Sequence, residues 1–452
     1  MQHPAHNRSQ QSPPKTPPER FSGLIAVMRL LVVRLLRGQP VREAARLGLR
    51  LIGARIMSVL TLIVAAWMVD IEAFAEFGVY QTLAALALIA LFLRYDAAIL
   101  AARTEAEAGE ALRLSTCIGA ILWLVFAACS LVAGASGLMR LPLAMLLPFS
   151  ILARGMLSMY FARTTRDGDF TGIGRASLVH AVVQPMVLLA LVLSPVEDIT
   201  AFAVADVAGH FSAVAYLAWR RRHRSGPLWR DWSLKTLVAA AKRWKSLPLY
   251  NLPSSFFSRA FVMSPLLIMP MIADAVFAGH AALAYRIFDV PTQIIMAAST
   301  PIFLNRLKPS EERTTPIFER HIMLGLIVLL GLGYALMTSI LVLADPWFQN
   351  SELDGLAEVI PLIAIFQLFI ALAAPLSDSC SLYMQQRSLV VIQAASLLAG
   401  FAIAVLSQWI SPEGVLVVLA AVSAFRALAL GELLRKLSRL NQAVSVTAPL
   451  IS

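Results

Sequence analysis

The 452-residue chain has little charge and very little cysteine. Charged residues make up 14% of it, whereas soluble domains carry roughly 25%. The three cysteines, Cys117, Cys129 and Cys380, each lie inside an apolar run. Their spacing excludes a disulfide framework and a zinc site. We therefore interpret the cysteines as small packing residues.

Motifs for nucleotide binding and covalent chemistry are also missing. The sequence has no glycine-rich phosphate loop, no H-E-x-x-H and no G-x-S-x-G. We predict that the chain is not an enzyme, does not hydrolyse ATP itself and holds no cofactor and no metal. One weak enzymatic signal remains, because Asp70-x-Glu72 is similar to an acidic loop of membrane glycosyltransferases. The outer loop is too short to hold an acceptor, which favours an acidic helix end instead.

Long apolar runs dominate what is present. Apolar residues form 58% of the chain, against roughly 45–50% in soluble domains. Twelve runs are long enough to cross a bilayer as helices. They cover residues 49–69, 77–98, 113–136, 142–162, 171–193, 199–218, 248–273, 279–304, 321–344, 357–383, 388–409 and 414–434. The sequence therefore predicts an all-α integral membrane protein with about twelve transmembrane helices.

Charge alternates strictly along the connecting loops. Every second loop is basic, with Arg42, Arg46 and Arg50; Arg103 and Arg113; Arg163 and Arg166; Arg220, Arg221, Arg222 and Arg224; Arg306, Lys308 and Arg313; Arg387; and Arg435, Lys436 and Arg439. The other loops are short and acidic, with Arg140 as the exception. Because basic loops stay in the cytoplasm, we predict a multi-pass protein of the bacterial inner membrane with both termini cytoplasmic. We therefore attribute the net charge of +11 to the basic loops that orient the chain in the membrane. No nucleic-acid partner is expected.

The longest loop divides the predicted spans into two sets of six. We predict a disordered cytoplasmic tail over 1–22, a basic interfacial helix over 23–44, an N-terminal six-helix bundle over 45–219, a basic cytoplasmic linker over 220–247, a C-terminal six-helix bundle over 248–436 and a cytoplasmic tail over 437–452. Arg29, Arg34 and Arg37 would share one side of the interfacial helix and contact anionic membrane lipids. A cytosolic packing helix is the alternative. Phe77-Gly78 and Ala278-Gly279, each opening the second helix of its half, suggest a weak internal repeat.

Charged residues inside the predicted spans are the candidate functional residues. Each costs about 2.5–3.5 kcal/mol at the bilayer centre unless it faces protein or water. They are Arg55, Arg154, Arg259, Arg286 and Arg426, then Asp206, His210, Asp289, His180 and Asp378. We predict that they face a hydrated, net-positive cavity between the halves. The arginines would bind substrate there, with Arg55 and Arg259 foremost, and Asp206, His210 and Asp289 are candidates for ion coupling.

Simpler interpretations of the same residues stay open. Arg286 with Asp289 and Asp206 with His210 have i,i+3 and i,i+4 helical spacing and could neutralise each other. His180, beside Gln184, could be a hydrogen-bonded packing residue. Arg94, near the basic end of its span, could be an anchor at the membrane surface.

Two stretches resemble the Wzx-type oligosaccharide flippases, the polysaccharide-biosynthesis branch of the multidrug/oligosaccharidyl-lipid/polysaccharide (MOP) exporter superfamily. In residues 53–115 the similarity is carried by Glu76-Phe77-Gly78-Val79-Tyr80 and Leu93-Arg94-Tyr95-Asp96-Ala97-Ala98-Ile99. In residues 243–300 it is carried by RWKSLPLYNLPSSFFSRAF and AGHAALAYRIFDVPTQIIMAAS. Family members often have Gly-Pro before the Phe-Gly, whereas this chain has Asp70-Ile71-Glu72-Ala73 and, in the second half, Ile272-Ala273-Asp274-Ala275.

The resemblance implies two six-helix bundles of the MOP/MATE type around a cavity that opens alternately to each side. The implied substrate is an undecaprenyl-diphosphate-linked oligosaccharide, flipped for polysaccharide or O-antigen biosynthesis. A polysaccharide polymerase and glycosyltransferases would be its partners. Arginines would bind the diphosphate, while Gln184, Gln367, Tyr250 or Asn251 would meet sugar hydroxyls.

Three other functions are compatible with parts of this pattern. A cation-coupled multidrug exporter of the same fold would need a negative cavity, which the excess of arginine disfavours. A sugar-transferring membrane enzyme is disfavoured by the short outer loops. A non-transporting scaffold of a polysaccharide-assembly complex would not need arginines in mid-span.

Overall fold

The computed structural model describes residues 64–222, 232–307, 316–347, 353–382 and 386–447, together with Gly53, Met57, Thr61 and Ser351. In this part of the chain every regular element is a helix. The predicted tail over 1–22, the interfacial helix over 23–44, Arg55 and most of the first predicted span lie outside it. The same holds for the side chain of Asp378.

Six helices of the first half are described. They are α1 (Ile71–Leu91), α2 (Asp96–Ala101), α3 (Glu105–Ala135), α4 (Leu141–Arg166), α5 (Phe170–Val192) and α6 (Asp198–Arg221). Within this set, α3 packs on α4, α4 on α6, and α6 on α5. Short connections and apolar spans of this kind are typical of antiparallel membrane bundles.

In the described part of the chain after residue 231, eight α-helices follow. They are α7 (Leu234–Arg243), α8 (Leu252–Val262), preceded by a π-helical turn over Leu247–Asn251, α9 (Ser264–Ile272), α10 (Ala275–Leu307), α11 (Pro316–Leu343), α12 (Leu356–Leu382), α13 (Gln386–Leu406) and α14 (Pro412–Thr447). Among the described residues, nine helices are long and apolar enough to cross a membrane. The number is ten if the Leu247–Val262 and Ser264–Ile272 segments, which meet at 48°, form one span.

The predicted spans from 77–98 onward each coincide with a helix or, for 248–273, with the bent pair. Several helix ends differ from the predicted spans; α3, for example, begins at Glu105 rather than at residue 113. The span predicted over 77–98 begins at Ile71 and ends at Leu91, because the backbone of Leu93 and Arg94 turns into the left-handed region (φ 46° and 65°). The last helix extends to Thr447, into the predicted tail.

A further difference concerns the predicted linker over 220–247. It contains the helix α7 rather than loop alone. Leu237, Ala240 and Trp244 recur at helical spacing and pack against Tyr95 and Leu114 of the first half. An amphipathic pattern of this kind stabilises a surface helix through the one face that it buries.

α1 is the helix that joins the two halves. On one side Phe74 and Phe77 pack on Phe202 of α6, with ring centroids 4.9 Å apart in both pairs. On the other side α1 packs along α10, α8 and α9. A Cβ at Gly279 of α10 would lie 2.2 Å from the carbonyl oxygen of Ile71, so only glycine permits this approach. The predicted weak internal repeat, Phe77-Gly78 and Ala278-Gly279, therefore lies at the contact between α1 and α10. These two helices correspond to the second predicted span of each half.

The helix ends form two faces of opposite composition. On the acidic face, the backbone N–H of Asp70 donates to the carboxylate of Asp198 at 3.0 Å. Arg140, the exception in the loop pattern, pairs there with Glu76 at 2.9 Å and with Glu197. This exposed arginine is therefore paired with the acidic groups of its own face.

The arginine-rich face is tied together by ion pairs between neighbouring helices. Arg163 and Arg166 of α4 bind Glu105 at 2.6 and 2.8 Å. Arg220 of α6 donates two hydrogen bonds to Asp169, at 2.9 and 3.0 Å, and these hold the pKa of that carboxyl below its usual range.

Candidate functional site

A cavity of about 390 Å³ lies between the two halves of the chain. α1, α4, α5 and α6 line it from one half, and α8, α9 and α10 from the other. Its ionisable side chains include three arginines, two aspartates and two histidines, namely Arg154, Arg259, Arg286, Asp206, Asp289, His180 and His210. The structure thus brings together most of the intramembrane charges that the sequence singles out. Among the described residues that line it, positive charge exceeds negative.

Asp206 of α6 is held in the cavity by several hydrogen bonds. Its carboxylate receives hydrogen bonds from Arg154 at 2.6 Å and from Ser150 at 2.7 Å, both on α4. Gln81 of α1 donates to it at 3.4 Å. The side chain is only 1% exposed, so the pair with Arg154 offsets a large desolvation cost.

The pair of Asp206 with Arg154 differs from the pair of Asp206 with His210 that helical spacing suggests. His210 stands one turn after Asp206, and its Nδ1 lies 3.5 Å from the carboxylate but 2.8 Å from the backbone carbonyl of Asp206. The His180 and His210 rings meet edge to face with centroids 4.5 Å apart. The cation that contacts Asp206 most closely is therefore Arg154 on the neighbouring helix, which sequence spacing cannot show.

Arg286 of α10 has a different environment. Its guanidinium carbon lies 4.1 Å from the ring centroid of Phe77, in cation–π geometry. Its Nε and Nη2 atoms are buried and have no hydrogen-bond partner in the described part of the protein. Buried guanidinium donors without partners are costly. They are the groups in the cavity that are best prepared to bind an added anion.

Arg259 and Asp289 complete the charged lining from the second half. Arg259 is half-buried in the last turn of α8, next to the bend between α8 and α9. Asp289 follows Arg286 on α10 at i+3, so both project toward the same cavity. Arg55, predicted together with Arg259, lies outside the described residues.

Arg426 does not line this cavity, although the sequence places it in mid-span like the others. It is 4% exposed and donates to Gln393 at 2.8 Å and to Ser258 at 2.7 Å. Its guanidinium lies over Phe261 at 5.5 Å. Arg426 therefore fastens α14 to α13 and α8.

Of the four residues predicted to meet sugar hydroxyls, Gln184 alone is part of the cavity lining. Gln367 is fully buried and accepts a hydrogen bond from Thr292 at 3.3 Å. Asn251 accepts one from Arg94 at 2.8 Å, and Tyr250 lies under Arg387 at 6.0 Å. Arg94 is therefore more than a surface anchor, because it links the end of α1 to the start of α8.

Sequence reasoning missed Gln81, Ser150 and Tyr285. Gln81 and Tyr285 line the cavity, and Ser150 supports Asp206 from α4. Gln81 could have been recognised as the one amide side chain within α1, well past the two glutamates at the start of that helix.

Much of the remaining wall of the cavity is apolar, with the hydroxyl of Ser177 as a polar addition. The apolar part is formed by side chains from both halves, including Leu157, Phe161, Leu188, Met263 and Leu266. The cavity thus offers guanidinium groups, hydroxyl and amide groups, and a hydrocarbon surface within one space. An amphiphilic molecule with an anionic group is the chemical class that matches this combination.

Comparison with solved structures identifies the fold. The chain aligns with the lipid II flippase MurJ, in an inward closed conformation, with a TM-score of 0.65 and 12% identity, over 88% of this chain and 91% of that one. A MATE protein in the bent conformation gives a TM-score of 0.58 and 15% identity over 91% and 99%. A MOP-superfamily transporter from Pyrococcus furiosus, described as having a binding pocket of reversed polarity, gives 0.55 and 14% over 90% and 98%.

The sequence itself matches no protein-family model and no curated protein. At these identities the structural likeness shows the fold alone. The predicted fold class, an all-α membrane protein with a MOP/MATE-like fold, is confirmed. The narrower resemblance to the Wzx-type branch stays a prediction.

Proposed function

We propose that this protein translocates an undecaprenyl-diphosphate-linked oligosaccharide between the leaflets of the bacterial inner membrane, by alternating access. The product would supply polysaccharide or O-antigen assembly, and a polymerase and glycosyltransferases would act beside it. The observation that carries the proposal is the buried Arg286 in the central cavity, with two guanidinium nitrogens that lack partners among the described residues.

The chemistry of the cavity fits each part of such a substrate. A diphosphate presents oxygens that planar guanidinium groups bind through paired hydrogen bonds, and Arg286 and Arg259 supply these groups. Gln81, Gln184 and Ser177 supply donors and acceptors for sugar hydroxyls. The apolar wall accommodates the beginning of the polyprenyl tail. The MurJ structure with the same fold is named as a lipid II flippase, which supports the same class of substrate.

A cation-coupled multidrug exporter is the second candidate. Asp206 and Asp289 line the cavity, and MATE proteins share the fold. A cationic drug would need a carboxylate that is open to it. Asp206 is instead engaged by Arg154 and Ser150, so the arrangement favours an anionic substrate.

The substrate test uses proteoliposomes and a fluorescent polyprenyl-diphosphate-linked oligosaccharide. Arg286→Gln and Arg259→Ala should each lower the translocation rate by about tenfold or more, since a charge-assisted hydrogen bond contributes about 1.5–3 kcal/mol. Arg140→Gln is the matched control, because this arginine is exposed on the acidic face and should leave the rate unchanged. Abundance and monodispersity should stay near wild type in all three. Normal translocation in both cavity variants, or transport of a cationic dye instead, would refute the proposal.

The driving force is a separate part of the proposal. Moving an anionic lipid outward is assisted by the membrane potential, by about 2.3 kcal/mol per charge at 100 mV. We propose that this assistance drives transport while the arginines stay in place. The competing mechanism is protonation of Asp206, which would remove its attraction to Arg154 and free that arginine for substrate. Translocation should respond to an imposed potential without a pH gradient. Dependence on a pH gradient alone, lost in Asp206→Asn, would favour the competing mechanism.

A further inference from the structure

We infer a second binding site, for an anionic phospholipid, in a groove between α3 and α4 near the arginine-rich face. The groove has a volume of about 320 Å³. It is lined by α3, by α4 and by Leu91 and Phe92 at the end of α1, with Trp232 near its mouth. This site is separate from the proposed function and does not depend on it.

α4 separates the groove from the central cavity. Arg154, Leu157 and Phe161 face the cavity, whereas Gly155 and Met159, on the opposite side of the same helix, face the groove. A ligand in the groove therefore does not occupy the transport path.

The shape of the groove depends on two glycines. A Cβ at Gly119 of α3 would lie 2.5 Å from the ring of Phe92, and one at Gly155 of α4 would lie 2.5 Å from Leu91. The end of α1 thus forms a floor against both helices. Ala120 and Met156 line the groove and are also exposed on the surface that faces lipid. The groove therefore opens sideways into the hydrocarbon of the bilayer.

The walls of the groove are chiefly apolar and aromatic. Leu112, Met156 and Met159 line it together with Trp123, whose indole N–H donates to the Pro148 carbonyl at 2.8 Å. That bond satisfies the polar edge of Trp123, so its ring offers an apolar surface to an acyl chain. Tyr160 and Trp232 line the groove near the membrane surface, where aromatic side chains are enriched.

Positive charge marks the end of the groove near the arginine-rich face. Arg113, Arg163 and Arg221 line it, and the described lining residues include no acidic side chain. Arg113 stands eight residues into α3, about 12 Å from its start, at a depth that a phosphate head group can reach.

Arg163 shares both of its nearby carboxylates with another arginine. Asp167 is shared by Arg163 and Arg221, and Glu105 is shared by Arg163 and Arg166. The Nη1 atom of Arg163 is buried and has no hydrogen-bond partner among the described residues. A phosphate would supply an acceptor for this nitrogen and would add negative charge beside the three arginines.

An apolar groove open to lipid and capped by arginines is complementary to an anionic phospholipid. Basic pockets between helices at the cytoplasmic side of a membrane bind anionic head groups in this way. Since the basic loops predict that this face is cytoplasmic, the lipid would come from the inner leaflet.

Native mass spectrometry of the detergent-purified full chain can test the site, with phosphatidylglycerol as the probe and phosphatidylcholine as the neutral lipid. Wild type should retain phosphatidylglycerol in preference to phosphatidylcholine. Ala120→Trp should fill the groove and remove one bound phosphatidylglycerol. Val132→Trp is the matched control, because it places the same side chain on the lipid-exposed surface of α3 about 18 Å away. Arg113→Gln should weaken phosphatidylglycerol binding by about fivefold.

Ala120→Trp tests the apolar groove, and Arg113→Gln tests the charged end that would bind the head group. The preference for phosphatidylglycerol should fall in Arg113→Gln while phosphatidylcholine retention stays constant. Equal retention of both lipids by wild type would overturn the inference. So would an unchanged number of bound phosphatidylglycerol molecules in Ala120→Trp, or the same loss in Val132→Trp.

Discussion

Arg286 of α10 and Arg426 of α14 lie well inside long helices of the second half, and each stacks on a phenylalanine ring. Their hydrogen bonding differs completely. Arg426 donates to Gln393 and Ser258, whereas the Nε and Nη2 atoms of Arg286 lack partners in the described structure. Arg426 therefore donates its hydrogen bonds within the protein. Arg286 faces the cavity with two donor nitrogens that have no partner among the described residues.

The comparison shows that depth in the membrane does not by itself identify a binding residue. A charge within the bilayer must be compensated, but compensation can come from the protein or from a ligand. Arg154 belongs with Arg426, because Asp206 and Ser150 bind it. Arg286 is the arginine whose hydrogen bonding is incomplete among the described residues, and for that reason we assign it to the substrate.

The largest effect on stability is expected at the pair of Arg154 and Asp206. Arg154→Gln would leave the buried Asp206 carboxylate without its counter-charge and should destabilise the protein by about 3–5 kcal/mol. The double variant Arg154→Gln/Asp206→Asn should lose much less than the sum of the two single variants. Thermal unfolding of the detergent-purified single and double variants measures these losses of stability. Additive losses would mean that the two residues do not act as a pair.

A smaller loss of stability is expected at Arg426. Arg426→Gln should remove two charge-assisted hydrogen bonds and cost about 2–4 kcal/mol, since Gln393 and Ser258 would lose a partner. Arg286→Gln, the matched change in the cavity, should leave the unfolding temperature near wild type or raise it. The same unfolding experiment compares the two variants directly. An equal loss in both would remove the distinction between a structural and a substrate-facing arginine.

The sequence predicted the helices well because apolar length decides membrane insertion. The sequence did not predict features that depend on local backbone geometry or on contacts between residues far apart in the chain. The turn at Leu93 and Arg94 follows from left-handed backbone and the contact with Asn251, which an apolar run does not reveal. α7 was missed because a basic segment was interpreted as loop alone.

Most of the charged residues that line the candidate cavity were predicted from the sequence, but the contacts among them were not. Helical spacing identified Asp206 with His210 but could not show Arg154, which comes from a helix 52 positions away in sequence. Nor could it separate Arg426 from Arg286, because both are arginines within apolar helices. Their difference lies in Ser258 and Gln393, which only the folded chain brings to Arg426.

The affinity of the purified protein for a short-chain polyprenyl diphosphate tests the central claim most directly. Titration should show that Arg286→Gln lowers the affinity by about tenfold or more, because the lost charge-assisted hydrogen bonds contribute about 1.5–3 kcal/mol each. Arg140→Gln should bind like wild type. Equal affinity of Arg286→Gln and wild type, with both proteins folded, would contradict the assignment of the cavity arginines to the diphosphate.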